Sequence, residues 1–456
     1  MKNLPALFLI LTFVIFNFKL HAQINDFKLS DFKLPDLKRQ GIDFTLYSDG
    51  QTYKSFDSDG DVSNDTKRFQ DNLNFNYFLY RNSRKYQGYH SVGLSSSYYY
   101  SENSYYKIKS YGINLPILSE NRFYFKKGSF LDLTLNSSIA TNNSNEQRPF
   151  LDTLYQDIDR KDTENRLSTT IGFGKGRIER VEDARHAIYI LQELSKQKRL
   201  SHEPSHEEIL EFSKTISEIK NERVLDSRLK KIYELNMVDS VLHGLNLIDN
   251  EDMVYFSSLN DMWDFGGNII RTSGFRYEFF YQPEYYFNPY QESITIDSLI
   301  KMETEQEYFK NKFGIFLDWD KPINQKLQSN LYSRIFYFID NNISTFSDSF
   351  PVPIPEGNYK GIGGELKYNF GYYPNTRTSI DFGLSIDARK EINKDNSEED
   401  YYSYRTYPYL VAKYYFSPKL SLNLYYNFTW RNLNTIPAYN KIKEHNYGFS
   451  LQYSIF

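Results

Sequence analysis

The sequence LSLNLYYNFTWR, residues 420–431, decides the fold of this 456-residue chain. Large apolar side chains occupy every second position from Leu420 to Trp430, and mostly polar ones lie between them. Because successive side chains of a β-strand point to opposite faces, such a strand has one apolar and one polar face. Residues 362–370 and 380–387 alternate in the same way. These stretches predict strands that meet an apolar environment on one side and water on the other.

The lengths of the alternating segments favour a membrane barrel. With their flanks they run for roughly 10 to 14 residues, whereas soluble strands usually have about 5 or 6. A tilted strand needs about 9 to 11 residues to cross a bilayer. We expect about 14 strands, with 12 or 16 as alternatives, because single-chain bacterial barrels have even numbers. The remaining candidate strands are residues 41–50, 69–80, 88–100, 106–117, 128–140, 164–174, 273–284, 308–319, 326–340, 403–416 and 445–456.

The composition agrees with a barrel. There are 41 Tyr and 36 Phe residues, and barrels carry aromatic girdles at both membrane–water boundaries. A Tyr-rich soluble β-sandwich is the alternative interpretation of this content. Beyond the N-terminal segment, no apolar run reaches the roughly 20 residues of a membrane helix. The absence of Cys and the net charge of -4 give no argument for disulfides or for nucleic acid as a partner.

The N-terminus has the pattern of a secretory signal peptide. A positive start and an apolar core precede Ala22, a small residue suited to cleavage before Gln23. We expect residues 1–22 to be removed on export. Residues 23–40 then form a periplasmic N-terminal segment. It contains Asp-Phe-Lys-Leu twice within residues 26–34, a repeat to which the sequence assigns no role.

Residues 175–265 interrupt the strand pattern. Apolar residues there fall at helical steps of three and four. A second helix is predicted from Ser205, where Glu208 three residues on completes a capping box. A third is expected over 224–242, before a stop at Gly244. The segment therefore predicts an inserted three-helix unit.

The lengths of the connections orient the barrel. Barrels of this kind have short periplasmic turns and longer outer loops, with the C-terminus in the periplasm. Counted back from the C-terminus, the short turns lie at Pro322, Pro374 and Pro418, on the periplasmic side. The same parity places the helical unit in the periplasm, between barrel segments 41–174 and 266–456. The predicted outer loops are residues 285–307, 341–357, 391–402 and 434–445.

In its signal segment, its alternating C-terminal strands and its terminal Phe456, the sequence resembles the outer-membrane β-barrel proteins of Gram-negative bacteria. The resemblance covers most of the chain outside residues 175–265. It implies an all-β transmembrane antiparallel β-barrel in the outer membrane, with lipid as its partner. Phe456 departs from the family pattern, because it is out of phase with the apolar face formed by Tyr453 and Ile455.

Charged residues on the polar faces of the predicted strands are candidates for the lumen. Such residues either line a channel and select solutes or fill the interior with ion pairs. The candidates are Arg276, Glu278, Asp318, Arg334, Glu365, Lys367, Asp381, Asp387, Arg389 and Arg431.

The helical unit has two interpretations. It is either a plug or brace on the rim, or a docking module for a periplasmic protein or peptidoglycan. Arg223, Asp226, Lys230 and Glu234 fall on the polar side of the third predicted helix and are the docking candidates. An ordinary solvated helix face with ion pairs explains them equally well.

Three motifs suggest chemistry and fail on geometry. His202 to His206 spell the zinc-protease pattern H-E-x-x-H, but Pro204 breaks the helix that this site needs. The glycine-rich residues 172–176 lack the spacing of a phosphate-binding loop and predict a flexible exit from the barrel wall. His90 and Ser91 are neighbours on a strand and face opposite sides, so they form no dyad. We therefore expect no catalytic site, no metal site and no cofactor.

The sequence thus predicts a channel or transport barrel for small polar solutes, with a periplasmic helical plug or brace. The alternative is a non-conducting scaffold whose helical insert docks a periplasmic partner or the cell wall. An outer-membrane enzyme is a third hypothesis for which the sequence supplies no constellation of residues.

Overall fold

A computed structural model describes residues 27–56, 62–103, 105–151, 154–222, 227–267, 269–295, 299–346, 357–393, 400–417, 420–435 and 438–453. The predicted signal peptide and Phe456 lie outside the described residues. Among the helices that are described, none is long and apolar enough to cross a membrane.

The described residues form one antiparallel sheet of fourteen strands, in which each strand pairs with its neighbours in sequence. The expected number of strands is confirmed, and the alternatives of 12 and 16 are wrong. The strands are β1 (Leu37–Phe56), β2 (Val62–Asn82), β3 (Tyr86–Glu102), β4 (Lys107–Tyr124), β5 (Ser129–Leu151), β6 (Leu154–Arg180), β7 (Thr272–Thr295), β8 (Leu299–Pro322), β9 (Leu327–Phe346), β10 (Gly357–Tyr372), β11 (Thr378–Asn393), β12 (Asp400–Tyr415), β13 (Leu420–Thr435) and β14 (Ala438–Tyr453).

The two faces of the sheet differ in polarity, as the alternation predicts. On β13, Leu424 is 49% exposed on one face and Ser421 is 4% exposed on the other. The register keeps the apolar face continuous, since Leu424 lies opposite Phe449 of β14 and Ala412 of β12. The chain therefore has the fold of an outer-membrane β-barrel, with apolar side chains toward lipid and polar ones toward the lumen.

On the polar face, long side chains reach partners two strands away, and Tyr409 does so across Gly383, which has no side chain. The Tyr409 hydroxyl of β12 donates to Asn369 of β10 at 3.2 Å, and Arg334 of β9 donates to Gln282 of β7. Lipid offers no partner for backbone N–H and C=O groups, so the fold requires the first and last strands to lie side by side.

The outer connections are shorter than expected, because the strands continue beyond the membrane. The predicted loop at 285–307 is wrong, since β7 and β8 stay paired through most of it. Tyr286 and Tyr308 stack across this ladder with ring centroids 4.6 Å apart. The predicted loop at 434–445 is likewise mostly strand. Outside the membrane both faces of a strand meet water, so the alternation that marks a strand in sequence is lost there.

Strand β6 continues beyond residue 175, where the insert was expected to begin, and ends at Arg180. Gly176 on β6 has a φ of 104° and Gly274 on β7 a φ of 140°, conformations that L side chains rarely adopt. A Cβ at either position would lie 2.0 Å from a carbonyl oxygen of the paired strand. Residues 172–176 therefore belong to the barrel wall, and the prediction of a flexible exit is wrong.

The insert described by the structure has four α-helices rather than the predicted three. The predicted capping box is confirmed. The Ser205 hydroxyl accepts from the Glu208 N–H at 3.3 Å, and the Glu208 carboxylate accepts from the Ser205 N–H at 2.7 Å. The helices are α1 (Glu182–Lys196), α2 (His206–Asn221), α3 (Ser227–Gly244) and α4 (Met253–Gly266).

The helix that the sequence analysis missed is α4. It begins after Asp252, whose carboxylate accepts from the Tyr255 N–H at 3.0 Å. Tyr255, Leu259 and Trp263 are buried at successive steps of four. This spacing and the capping Asp252 were the available signals, but they lie beyond the expected stop at Gly244.

The N-terminal repeat completes the core of the helical unit. Phe27, Leu29, Phe32 and Leu34 are at most 3% exposed and belong to the same apolar cluster as the buried residues of all four helices. The lysines between them are exposed. Each copy of Asp-Phe-Lys-Leu thus turns two apolar side chains inward, and the repeat straps the N-terminal segment across the helices before β1 begins.

The facing of the strands predicts a difference between two adjacent positions of β13. Leu424→Arg places a charge toward lipid and should cost about 2–4 kcal/mol of unfolding free energy near the bilayer midplane. Asn423→Arg, the matched control, places the same charge toward the lumen and should cost much less. Equilibrium denaturant unfolding of the protein in lipid vesicles measures both. Equal destabilisation by the two substitutions would contradict the assignment of faces.

Candidate functional site: the charged lumen and its helical mouth

The strand register gathers eight of the ten candidate lumen residues on two neighbouring rungs of the inner face; Arg389, opposite Gly363 and Ser403, and Asp381 lie outside them. A rung here means residues that lie directly opposite one another on successive strands. The first rung is Glu278, Phe316, Arg334, Glu365, Asp387, Arg405 and Arg431, on β7 to β13 in order. The second is Arg276, Asp318, Tyr332 and Lys367, on β7 to β10.

The part of these rungs on β7 to β9 is tightly filled. Arg276 forms an ion pair with Asp318 at 3.0 Å. The Arg334 guanidinium lies 4.0 Å from the centre of the Phe280 ring. Glu278 is only 4% exposed, in the space that Gly172 leaves by having no side chain. These residues fill the interior with paired charges and aromatic rings.

The part of the first rung on β10 to β13 borders an open cavity of about 570 Å³. Asp387 accepts from Arg405 at 2.8 Å. Arg405 was missed by the sequence analysis, because Tyr residues occupy both faces of β12 and obscure its phase. The charged residues around the cavity are Glu365, Lys367, Asp387, Arg389, Glu391, Arg405 and Arg431.

Several charges at this cavity have no ionic partner among the described residues. No ion pair joins Glu365, Arg389 or Arg431 to another described side chain. Arg405 and Arg431 lie directly opposite each other as like charges. The cavity thus presents both signs of charge to a solute.

Asp381 lies apart from the rungs, toward the helical end of the lumen. Its carboxylate accepts from the Tyr373 hydroxyl at 2.9 Å. Tyr373 belongs to the turn between β10 and β11, and its ring lies 5.3 Å from the Arg185 guanidinium of α1 and 5.1 Å from that of Arg271. Asp381 therefore reaches the helical unit through Tyr373.

Helix α1 is buried on all sides, from residue 182 to 191. Its apolar side belongs to the core of the helical unit. Its polar side carries Glu182, Asp183, Arg185 and His186, each at most 4% exposed. Of these residues, Glu182 and Asp183 pair with Arg180 and Arg39 of the barrel, whereas the ring of His186 packs on Trp263 of α4.

Asp183 ties α1 both to the barrel and to the next helix. Its carboxylate pairs with Arg39 of β1 and with Lys220 of α2, each at 2.8 Å, and accepts from the Ser217 hydroxyl at 2.7 Å. Burial alone would raise the pKa of Asp183, but Lys220 and Arg39 hold it well below its usual value. The carboxylate is therefore charged at neutral pH.

The helical unit also contacts the short turns of the barrel. Gln192 of α1 donates to Gln325 in the β8–β9 turn at 2.7 Å. Arg377 in the β10–β11 turn pairs with Asp261 of α4 at 2.7 Å and lies 4.0 Å from the centre of the Phe265 ring. With Arg39 on β1, these contacts hold the unit at the mouth from several sides.

The four docking candidates of the third predicted helix are only partly described by the structure. Arg223 and Asp226 lie outside the described residues. Glu234 accepts from the Trp263 indole N–H at 2.8 Å and lies 3.9 Å from Lys230, so it braces α3 against α4. The recruitment of a periplasmic partner stays a prediction.

The zinc-like motif has no metal-site geometry. His202 Nε2 contacts the Glu208 carboxylate at 3.1 Å, and His206 is the first residue of α2. Within the described ranges, no group of three His, Cys, Asp or Glu side chains is arranged to hold a metal ion.

No family model matches the chain, and no curated protein matches it significantly. Among solved structures, it is similar to the translocator domain of the autotransporter NalP from Neisseria meningitidis, with 9% identity, 85% of this chain and 91% of that chain covered, and a TM-score of 0.29. It is also similar to a TodX deletion mutant, a monoaromatic hydrocarbon channel, with 9% identity, coverages of 96% and 95%, and a TM-score of 0.34. An anion-selective porin from Comamonas acidovorans has 7% identity, coverages of 91% and 98%, and a TM-score of 0.20. At these TM-scores the likenesses carry no argument, and the fold rests on strand pairing and facing.

His186 makes the helical unit sensitive to acid. The side chain is 1% exposed. Its Nε2 lies 3.0 Å from the Met262 carbonyl oxygen, and its ring centroid lies 4.9 Å from that of Trp263. Burial, with the nearby charge of Lys220, lowers the pKa of His186 well below its usual value. The folded protein therefore holds this ring neutral.

The stability of the helical unit should fall as the pH drops below about 6.5, the pKa of an unfolded His. Below that pH the unfolded chain binds a proton that the folded chain does not. Unfolding then becomes easier by about 1.4 kcal/mol per pH unit, until the folded pKa is reached. His186→Phe should remove this slope. Hydrogen exchange of residues 182–266, measured at a series of pH values in both proteins, tests the prediction, and identical slopes would contradict it.

Proposed function

We propose that this chain is an outer-membrane transport barrel for small polar solutes, whose periplasmic mouth is occupied by the helical unit acting as a plug. It reaches the outer membrane after cleavage of residues 1–22. The observation that carries the proposal is the buried polar side of α1, where Asp183 and Glu182 pair with Arg39 and Arg180 of the barrel. Charged and hydrogen-bonded contacts can be exchanged for contacts with water at modest net cost.

Unsatisfied polar atoms at this interface support a plug that moves. The buried atoms Glu182 Oε2, Arg185 Nε and Gln325 Nε2 have no hydrogen-bond partner among the described residues. Buried polar groups are normally paired, because leaving them unpaired costs about 1–3 kcal/mol each. Whether these atoms stay unpaired or bind water, separating the helical unit from the barrel would break no bond of theirs within the protein. This favours a helical unit that can leave the mouth.

The mixed charges around the open cavity on β10 to β13 support the proposal that polar solutes are transported. Glu365, Arg389 and Arg431, which form no ion pair with another described residue, present charges of both signs beside the ion pair of Asp387 and Arg405. Charged rings in a pore set which ions and polar solutes pass.

Removing the plug should open the pore. Replacement of residues 182–266 by a short Gly-Ser turn should turn a weakly conducting barrel into one with frequent, large openings in a planar bilayer. Arg39→Ala, which removes one partner of Asp183, should raise the frequency of openings less strongly. Lys230→Ala, which removes an ion pair with Glu234 within α3, is the matched control and should conduct like the unmodified protein. A folded deletion variant that never conducts would refute the transport proposal.

The cavity charges should set ion selectivity. The double variant Arg389→Gln, Arg431→Gln, made in the plug-deleted barrel, removes two positive charges from the cavity. The ratio of cation to anion permeability should therefore rise by roughly twofold or more. Lys413→Gln on β12, outside the residues that border the cavity, is the control and should change the ratio less. Reversal potentials in a salt gradient give the ratio. An unchanged ratio in the double variant would show that solutes do not pass this cavity.

A further inference from the structure

Four neighbouring polar side chains form a hydrogen-bonded group on the lipid-facing side of β3 and β4. They are Tyr86 and His90 on β3 and Ser119 and Asn121 on β4 (the lipid-facing cluster). His90 lies directly opposite Ser119 and in phase with Val92, which is 41% exposed on the apolar face. Polar and ionisable groups at such positions are costly in lipid and are by default candidates for function.

The hydrogen bonds of the cluster assign a tautomer to the neutral ring of His90. The Tyr86 hydroxyl donates its single proton to Asn121 Oδ1 at 2.8 Å. The contact of 3.1 Å between the Tyr86 oxygen and His90 Nε2 is therefore donated by His90. In a neutral ring this leaves Nδ1 as the acceptor, and the Ser119 hydroxyl donates to it at 2.9 Å.

Asn121 completes the arrangement around the serine. Its amide Nδ2 donates to Ser119 Oγ at 3.0 Å and to the Leu133 carbonyl oxygen at 3.2 Å. These two bonds use both amide protons, so during the attack the N–H on Ser119 Oγ would turn to the carbonyl oxygen of the substrate. The cluster thus contains a hydroxyl, a base bonded to it, a group that orients the base and a polarising donor, which are the roles required for acyl transfer.

We propose that the lipid-facing cluster hydrolyses acyl esters of glycerophospholipids, with Ser119 as nucleophile and His90 as general base. Ser119 Oγ bonds to the acyl carbonyl carbon, and its proton passes to His90 Nδ1. The ester bond to glycerol breaks, and the leaving oxygen takes this proton. Water then attacks the acyl-serine, gives a proton to Nδ1 and releases the fatty acid, after which the proton returns to Ser119. Phospholipid and water become lysophospholipid and fatty acid, without any other reactant.

The location of the lipid-facing cluster at the membrane–water boundary indicates which lipids it can reach. Tyr86 begins β3, next to the short turn, and its ring lies 5.3 Å from that of Phe123 near the end of β4. Such aromatic girdles mark the membrane–water boundary, where both the ester groups of phospholipids and water are present. Exposed Arg81 and Lys85 lie beside the same turn and attract anionic headgroups. The substrate is therefore an anionic glycerophospholipid of the leaflet on the side of the helical unit.

The experiment uses the full-length mature protein in vesicles of phosphatidylethanolamine and phosphatidylglycerol. Release of fatty acid and lysophospholipid is followed by mass spectrometry, and a fluorophosphonate probe tests for an activated serine. Ser119→Ala should abolish both signals, and His90→Gln should lower hydrolysis by about 10²-fold or more. Ser91→Ala, which changes a neighbouring serine on the lumen side, is the matched control and should keep the activity of the unmodified protein.

Folding is checked separately, by the heat-dependent shift of the barrel in gel electrophoresis. Ser119→Cys keeps a nucleophile at the same place and should retain labelling by a thiol-reactive acyl probe that His90→Gln weakens. Absence of hydrolysis and labelling in the folded, unmodified protein would overturn the proposal and leave the cluster as a closed hydrogen-bonded ring. Hydrolysis that persists in Ser119→Ala would overturn it equally. Neither result depends on whether the lumen conducts.

Discussion

The rest of the structure depends on one constraint: no backbone N–H or C=O group can remain unpaired in lipid. Fourteen strands meet it by pairing in chain order in long antiparallel ladders. The side chains of a strand alternate with a period of two, so the register of the strands determines which side chains face lipid and which face the lumen. A slip by one residue would turn the lumen charges toward lipid. The polarity of lumen and outer wall is therefore a consequence of backbone pairing.

The same register gives the wall two different chemistries. On the inner face it aligns Glu365, Asp387 and Arg405 on one rung beside an open cavity. On the outer face it brings His90 opposite Ser119 at the edge of the apolar belt. Charges in the lumen meet water and need no complete pairing, whereas polar groups on the lipid side must satisfy one another. This explains why the first set is partly unpaired and the second forms a closed ring.

The helical unit at the mouth of the barrel is held by both apolar packing and ion pairs. Its apolar core includes Phe27 and Phe32 of the N-terminal repeat and Leu37 at the start of β1, with Tyr80 of β2 packed against it. Polar contacts of α1 and α4 add to these apolar contacts with the barrel. Ion pairs such as Arg39 with Asp183 then hold it in place with a strength that depends on charge, and His186 makes its stability depend on pH.

The sequence by itself determined the strands and their facing, because alternation such as that of residues 420–431 is a local pattern that lipid and water impose directly; it left their number between 12 and 16, and pairing settled it at fourteen. It also determined the capping of α2 by Ser205 and Glu208, a contact within one turn. The extent of the outer ladders and the role of the N-terminal repeat were decided by pairing and packing between distant segments. The fourth helix had local signals beyond the expected stop at Gly244, and the phase of Arg405 was obscured by Tyr residues on both faces of β12. The partnership of His90 with Ser119 was invisible in the sequence. Side chains on different strands meet only through the register, and single-strand periodicity does not contain it.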